Sequence, residues 1–240
     1  MNVALILAGG VGSRMGAPVP KQFIRILGKP IIAYTLEILE KNASLDAVAV
    51  ACVQGYREEL QSIITEYGLH KVKWIIEGGE TFTLSVYNGA KFLSGVLSPE
   101  DFVLIHMSVS PFIGDDILDD GLRVAYEKGN SISVNPCLLC MGSYDTEEYS
   151  TKSVLRETLI GLNTPQTYRL GELLELYERA EQEGILEELE PHTTSLFYHY
   201  NRKLYFSKGY QLNIKITTQE DLDLFEAFCL MKRKKEGAIC

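Results

Sequence analysis

Apolar and polar positions fall into blocks along the chain. Residues 2–8 form a short, continuous apolar run. Such a run predicts a strand buried on both faces. Ile32, Leu36 and Leu39 then recur at helical spacing behind Pro30, a residue suited to a helix start. Residues 47–53 repeat the apolar run, 56–67 read as a helix and 72–76 as a third strand. The rhythm continues with a helix over 82–93, a strand over 101–106, a helix over 114–128 and a strand over 131–135. Continuous apolar strands separated by helices predict an α/β protein with a mostly parallel sheet between two helical layers.

Residues 136–163 break this rhythm. Ser143, Tyr144, Asp145, Glu147, Glu148 and Ser150 make the stretch polar, which fits an inserted arm or hairpin better than another strand–helix unit. Leu170, Leu173, Leu174 and Tyr177 then share one helical face. Residues 203–206 and 211–216 read as two short strands. Thr218 and Asp221 can form a capping-box-like start to a last helix. The basic run 232–235 falls at that helix's C-terminus, where the dipole favours cations, and reads as a solvated helix end. No repeat or low-complexity linker divides the chain, so a single domain over 1–240 with an arm at about 136–163 is expected.

Composition narrows the function. The chain of 240 residues carries a net charge of −9. Duplex-binding proteins normally show a basic face, so no nucleic-acid partner is expected. No apolar run is long enough to span a bilayer, so no membrane association is expected either. The first residues lack a basic segment ahead of the apolar run and read as a strand, not a signal peptide, which places the protein in the cytoplasm. Cys137 and Cys140 form a Cys-x-x-Cys with no second pair nearby, and with Cys52, Cys229 and Cys240 they are expected to be free thiols. His70, His192 and His199 show no ligand-like grouping, and no metal ligands are assigned.

The loop after the first strand carries the candidate chemistry. Gly9, Gly10, Gly12 and Gly16 lie within eight residues, with Ser13 and Arg14 between them and Pro20-Lys21-Gln22 behind. Ligands of open α/β sheets bind outside the carboxyl ends of the strands. Glycines let backbone N–H groups approach phosphate oxygens closely, Arg14 offers a planar fork and Lys21 a point charge. The spacing is neither Walker A nor the dinucleotide fingerprint, because no Gly-Lys-Ser/Thr follows and Met15 stands at the third glycine position. A nucleoside triphosphate loop is the reading that accounts for glycines and cations together.

This loop resembles the signature of sugar-nucleotide pyrophosphorylases. It is more similar to that of cytidylyltransferases acting on methylerythritol phosphate or ribitol phosphate. Gly78-Gly79, Ser85-Val86 and Asn88-Gly89 match a second motif of that family. Residues 103–106 and 111–113 frame its His-Asp-x-x-Arg-Pro segment. Thr164-Pro165-Gln166 and the stretch 213–222, Asn-Ile-Lys-Ile-Thr-Thr-x-Glu-Asp-Leu, complete the likeness over nearly the whole chain. The resemblance implies a Rossmann-like three-layer α/β/α fold and transfer of CMP from CTP to a polyol or sugar phosphate, with release of pyrophosphate. It implies Arg14, Lys21 and Lys215 as the catalytic cations. Ala8, Gly9, Gly10, Gly12, Ser13, Gly79 and Ser85 would hold the nucleotide. Arg156 would reach the acceptor phosphate of a partner subunit, which makes the arm a dimerisation element of a homodimer, and Thr193 would lie near the acceptor. Mg²⁺ would be held mainly through the triphosphate. The pathway would be isoprenoid or cell-surface polymer biosynthesis, and His106-x-Ser108-Val109-x-Pro111-Phe112 leans toward the ribitol phosphate branch.

Three positions depart from the family pattern. Met107 replaces an aspartate, Ser110 an arginine, and Phe82 stands where an arginine is usual. A thioether is a poor partner for Mg²⁺, which favours hard oxygen ligands. Two readings follow: an enzyme with an altered acceptor side, and a catalytically decayed nucleotide-binding relative. His106, at a strand end, reads as a satisfied core histidine.

Overall fold

The computed structural model describes residues 1–10 and 19–235. In chain order it contains β1 (Asn2–Ala8), β2 (Arg25–Ile26), β3 (Lys29–Pro30), α1 (Ile31–Lys41), β4 (Ala47–Cys52), α2 (Arg57–Glu66), β5 (Val72–Glu77), α3 (Phe82–Ser94), β6 (Phe102–Met107) and α4 (Asp115–Lys128). There follow β7 (Asn130–Pro136), β8 (Met141–Ser143), β9 (Lys152–Val154), β10 (Ile160–Arg169), α5 (Leu170–Glu183), α6 (Thr193–His199), β11 (Phe206–Ser207) and α7 (Gln219–Lys235).

The main sheet has the order β11-β7-β10-β6-β1-β4-β5. β1 pairs in parallel with β4 on one side and β6 on the other, and β4 pairs in parallel with β5. Every residue of β1 is buried, because helices cover both faces. Side chains alternate between faces along a strand. Val3, Leu5 and Leu7 therefore join a core with α3, α5 and α6, whereas Ala4, Ile6 and Ala8 join a second core with α1, α2 and α4. A third, smaller core gathers Ile26, Val109, Ile216 and Phe225 around α7.

The three-layer α/β/α expectation holds, with three corrections in the second half. First, β10 runs antiparallel between β6 and β7, and its residues 160–163 belong to the strand, not to the arm. A break in register between Leu162 and Gln166 and the proline at 165, whose bond to Thr164 is cis, disguise the strand in sequence. Second, of residues 203–206 only Phe206 enters a strand, β11, and 211–216 form none. That stretch instead crosses the end of the sheet as a strap, tied by the Ile216 N–H to the Val109 carbonyl at 2.9 Å. Third, α6 lacks an obvious period and went unpredicted. The arm itself contains the antiparallel hairpin β8–β9. The Thr218–Asp221 cap is present: the Asp221 N–H donates to Thr218 Oγ1 at 3.3 Å and the Thr218 N–H to Asp221 Oδ2 at 2.9 Å. Cys52, Cys137, Cys140 and Cys229 are free thiols, and Cys240 lies outside the described residues.

His106 on β6 is fully buried. Its Nε2 lies 2.9 Å from the Ser110 carbonyl, whereas Nδ1 has no partner among the described residues. The expectation of a satisfied core histidine is therefore half met. Burial pushes the ring from 6.5 down to about 4, against the opposing bond to Ser110. The unfolded chain thus binds the proton more readily than the folded one, and stability falls as pH drops through that window. The full loss is about 3 kcal/mol at about 1.4 kcal/mol per pH unit. His106→Gln should flatten the decline of unfolding free energy between pH 6.5 and pH 4, measured by urea denaturation. An unchanged slope would place the acid sensitivity elsewhere.

Candidate active site

The chain runs from β1 outward to β4 and β5, then crosses back to β6 on the other side of β1. This reversal opens a crevice at the carboxyl ends of β1 and β6, the usual ligand position in an open α/β sheet. A cleft of about 250 Å³ lies there. Ala8, Gly9 and Gly10 form its base, with Gly79 and Ser85 on the β5–α3 side. Lys21 and Lys215 both line it, although 194 residues apart in the chain. Met107 and Phe82, two of the departing positions, line it as well. Gly12, Ser13 and Arg14 lie outside the described residues.

Two glycine segments meet at the back of the cleft. A Cβ on Gly9 would stand 2.9 Å from Ser85 Oγ and 3.3 Å from the Gly79 carbonyl. A Cβ on Gly79 would stand 2.4 Å from Leu84 Cβ. Gly78 is held by its N–H on the Cys52 carbonyl at 2.7 Å. Ser85 Oγ accepts the Gly79 N–H at 3.0 Å and faces the Gly79 carbonyl at 3.2 Å, so it fixes this turn. Gly10 is different, since a Cβ there would meet nothing within 4 Å among the described residues.

Other bonds aim the cationic walls. Gln22 is buried, and its amide donates to the Ala8 carbonyl at 2.8 Å and the Gly10 carbonyl at 3.0 Å. It thereby ties the segment carrying Lys21 to the end of β1. On the opposite wall, Asn213 Nδ2 donates to the Thr164 carbonyl at 2.6 Å, so the Thr-Pro-Gln segment anchors the strap that carries Lys215. The turn after β6 is pinned by Thr35 Oγ1 on the Ser108 carbonyl at 2.9 Å and by His106 on that of Ser110. Ser110 is buried beside Pro111 and is not among the described lining residues. Gln22, Thr81, Ser108 and Thr217 are lining residues to which sequence reasoning gave no role. For Gln22 the signal was present, because Pro20-Lys21-Gln22 stands beside the loop.

Neither of the two expected acceptor residues is in the described lining of this cleft. Thr193 is fully buried at the start of α6, with its hydroxyl 2.9 Å from that of Tyr177. Its polar atom is used inside the core and does not face the cleft. Arg156 is exposed on the arm, where Nη1 donates to the Leu138 carbonyl at 3.1 Å and Nε lies 3.3 Å from Glu157.

The profile of the 2-C-methyl-D-erythritol 4-phosphate cytidylyltransferase family matches residues 2–231. The chain belongs to that family. It is 37% identical to a ribitol-5-phosphate cytidylyltransferase of Lacticaseibacillus paracasei, over 98% of this chain and 100% of the relative. It is 32% identical to a 2-C-methyl-D-erythritol 4-phosphate cytidylyltransferase of Clostridium acetobutylicum, over 97% and 98% of the two chains. A crystal structure of 4-diphosphocytidyl-2C-methyl-D-erythritol synthase from Anaerococcus prevotii superposes with a TM-score of 0.79 over 96% of this chain and 98% of that one. At 22% identity that likeness speaks for the fold. As a cytidylyltransferase the chain is a CTP-dependent nucleotidyltransferase that passes CMP to a polyol or sugar phosphate and releases pyrophosphate. No helix among the described residues is long and apolar enough to cross a membrane.

The glycine geometry makes a paired prediction. Gly9→Ala should lower stability by about 1–3 kcal/mol, the usual cost of forcing a methyl into packed atoms. Gly10→Ala should leave the thermal midpoint unchanged and act, if at all, on CTP affinity. Equal midpoints for both variants, in thermal denaturation without nucleotide, would contradict the close approach at Gly9.

Proposed function

We propose that the acceptor is ribitol 5-phosphate, so that the reaction joins CTP and ribitol 5-phosphate into a CDP-polyol with release of pyrophosphate. The observation that carries the transfer chemistry is the convergence of Lys21 and Lys215 on one cleft floored by Ala8, Gly9 and Gly10. The 37% identity to a relative named for ribitol 5-phosphate, against 32% to one named for methylerythritol phosphate, supports this acceptor.

In this reading cytosine lies against Ala8, Gly9, Gly79 and Ser85. The missing side chains at the two glycines leave room for a small ring in close backbone contact. Gly10, Gly12 and Ser13 cradle the phosphates. An oxygen of the acceptor phosphate attacks the α-phosphorus of CTP as the bond to the bridging oxygen breaks and pyrophosphate leaves. Negative charge builds on the equatorial oxygens, and Arg14, Lys21 and Lys215 offset it. Transfers of this type depend on positioning and electrostatic stabilisation, which fixed cations supply.

Among the described residues no three His, Cys, Asp or Glu side chains gather to hold a metal. Glu80 is the carboxylate of the described lining, and Met107 offers only a thioether. This donor set suits Mg²⁺ carried in on triphosphate oxygens with retained waters, and not an all-protein cage. When bound, the ion neutralises phosphate charge. The arm is proposed as the dimer contact of a homodimer working in the cytoplasm. Leu138, Leu139, Tyr144 and Leu155 expose apolar surface there, and in this reading the Arg156 beside them, which bonds the Leu138 carbonyl, would reach a partner's acceptor phosphate. The two lysines in one cleft support an active enzyme over the binding-only alternative.

Pyrophosphate release with CTP, Mg²⁺ and either acceptor tests the proposal. Ribitol 5-phosphate should be preferred over 2-C-methyl-D-erythritol 4-phosphate. Lys21→Ala and Lys215→Ala should each lower kcat by about 10²–10³, the weight of one charge-stabilising donor. Release no greater than in Lys21→Ala would overturn the enzyme reading, and CTP binding without release would leave the binding-only alternative.

A further inference from the structure

A second cavity, of about 300 Å³, lies between α1 and the C-terminal half of α7, and it shares no lining residue with the nucleotide cleft. Its size is at the lower end for small-molecule sites. The floor is apolar and aromatic, made by Tyr34, Ile38, Pro111, Phe225, Phe228 and the thiol of Cys229. These rings are fixed by their neighbours: Tyr34 meets Phe225 edge-on at 5.0 Å, and Phe112 meets Phe225 and Phe228 at 5.2 and 5.0 Å. A rigid aromatic floor accepts a flat apolar body at little cost in side-chain ordering.

The rim carries the opposite chemistry. Lys29, Lys41, Lys232 and Arg233 surround the opening, and Glu37 is the one carboxylate among the described lining residues. That is a surplus of cations in a chain whose net charge is −9. Lys29 is ion-paired with Glu37, and Lys232 sits over the Phe228 ring at 5.0 Å. Among the described residues Lys41, Lys232 and Arg233 have no carboxylate within 4.0 Å. The field of the rim reaches the floor: burial raises the Cys229 thiol, and Arg233, Lys232 and Lys29 each act to lower it. The basic run at the end of α7 thus does more than solvate a helix end, because two of its members face a cavity.

We infer that this cavity is a binding site for a small, flat anion, an aromatic body carrying a carboxylate, sulfonate or phosphate. A bare phosphate would leave the ring floor wet, and a neutral aromatic would leave three cations uncompensated. The floor residues Phe225 and Cys229 belong to the same core as Ile216 and Val109, the neighbours of Lys215 and Ser108 in the nucleotide cleft. An occupant would therefore sit behind the strap, outside the nucleotide cleft, and not at the position of a substrate of the transfer. The inference stands on the cavity alone and does not depend on the acceptor proposed above.

Anilinonaphthalene sulfonate is a fluorescent probe of this chemical class. Titrated into the full chain, it should bind saturably at one site, and excess CTP should not displace it. The exposed double variant Lys232→Glu/Arg233→Glu should weaken binding by about tenfold or more, as expected for reversing two charges facing an anion. Lys232→Arg/Arg233→Lys, which keeps both charges, should restore it. Circular dichroism of the double variant reports whether α7 stays folded. Absence of saturable binding, displacement by CTP, or indifference to the charge reversal would each overturn the inference.

Discussion

The site depends on one close approach. Gly9 at the end of β1 and Gly78–Gly79 just after β5 pack backbone against backbone: a Cβ on Gly78 would stand 3.0 Å from the Gly9 Cα, and one on Gly9 3.3 Å from the Gly79 carbonyl. β5 is two strands away from β1, so the two turns meet only by folding toward each other over the end of β4. Gly78 rests on the Cys52 carbonyl at that end, and Ser85 locks the turn beyond it. The result is a wall of bare backbone that a flat base can touch. The two described lysines of the cleft are arranged around it: Gln22 holds Lys21 at one side, and Asn213 holds the strap with Lys215 at the other.

The same arrangement explains why distant motifs belong together. The Thr-Pro-Gln segment lies outside the described lining of the cleft, yet its Thr164 carbonyl carries the bond that anchors Asn213. His106 is likewise remote from ligand chemistry, since it is fully buried and braces the turn bearing Met107 and Ser108. These residues set positions, and the lysines and glycines line the cleft itself. Phe82, which lines the cleft where the family usually carries an arginine, packs edge-on against His192 at 5.3 Å. Its ring is thus part of a wall of the cleft that Lys21 and Lys215 also line.

The first half of the fold was legible because each element there repeats one period. β1, β4 and β6 are buried on both faces and read as continuous apolar runs, and the helices between them carry one clear stripe. The second half was not, for local reasons. β10 contains a proline and a register break, so its period of two is lost. Residues 211–216 have the apolar content of a strand, but their backbone crosses the sheet end and bonds to Val109 in place of a ladder. At the site, the glycines and lysines could be named from spacing and family likeness. Thr193 could not be judged, because its burial depends on how α6 packs under Tyr177. Gln22 carried a signal in its place beside the loop, but its bonds to the Ala8 and Gly10 carbonyls depend on the folded chain.

The central claim is that three chain segments, after β1, after β5 and before α7, form one CTP site. A crystal structure with CTP bound tests it most directly. The account predicts cytosine against Gly9 and Gly79, with Lys21 and Lys215 both bonded to triphosphate oxygens. CTP seated away from the glycine wall, or a triphosphate contacted by only one of the two lysines, would contradict it.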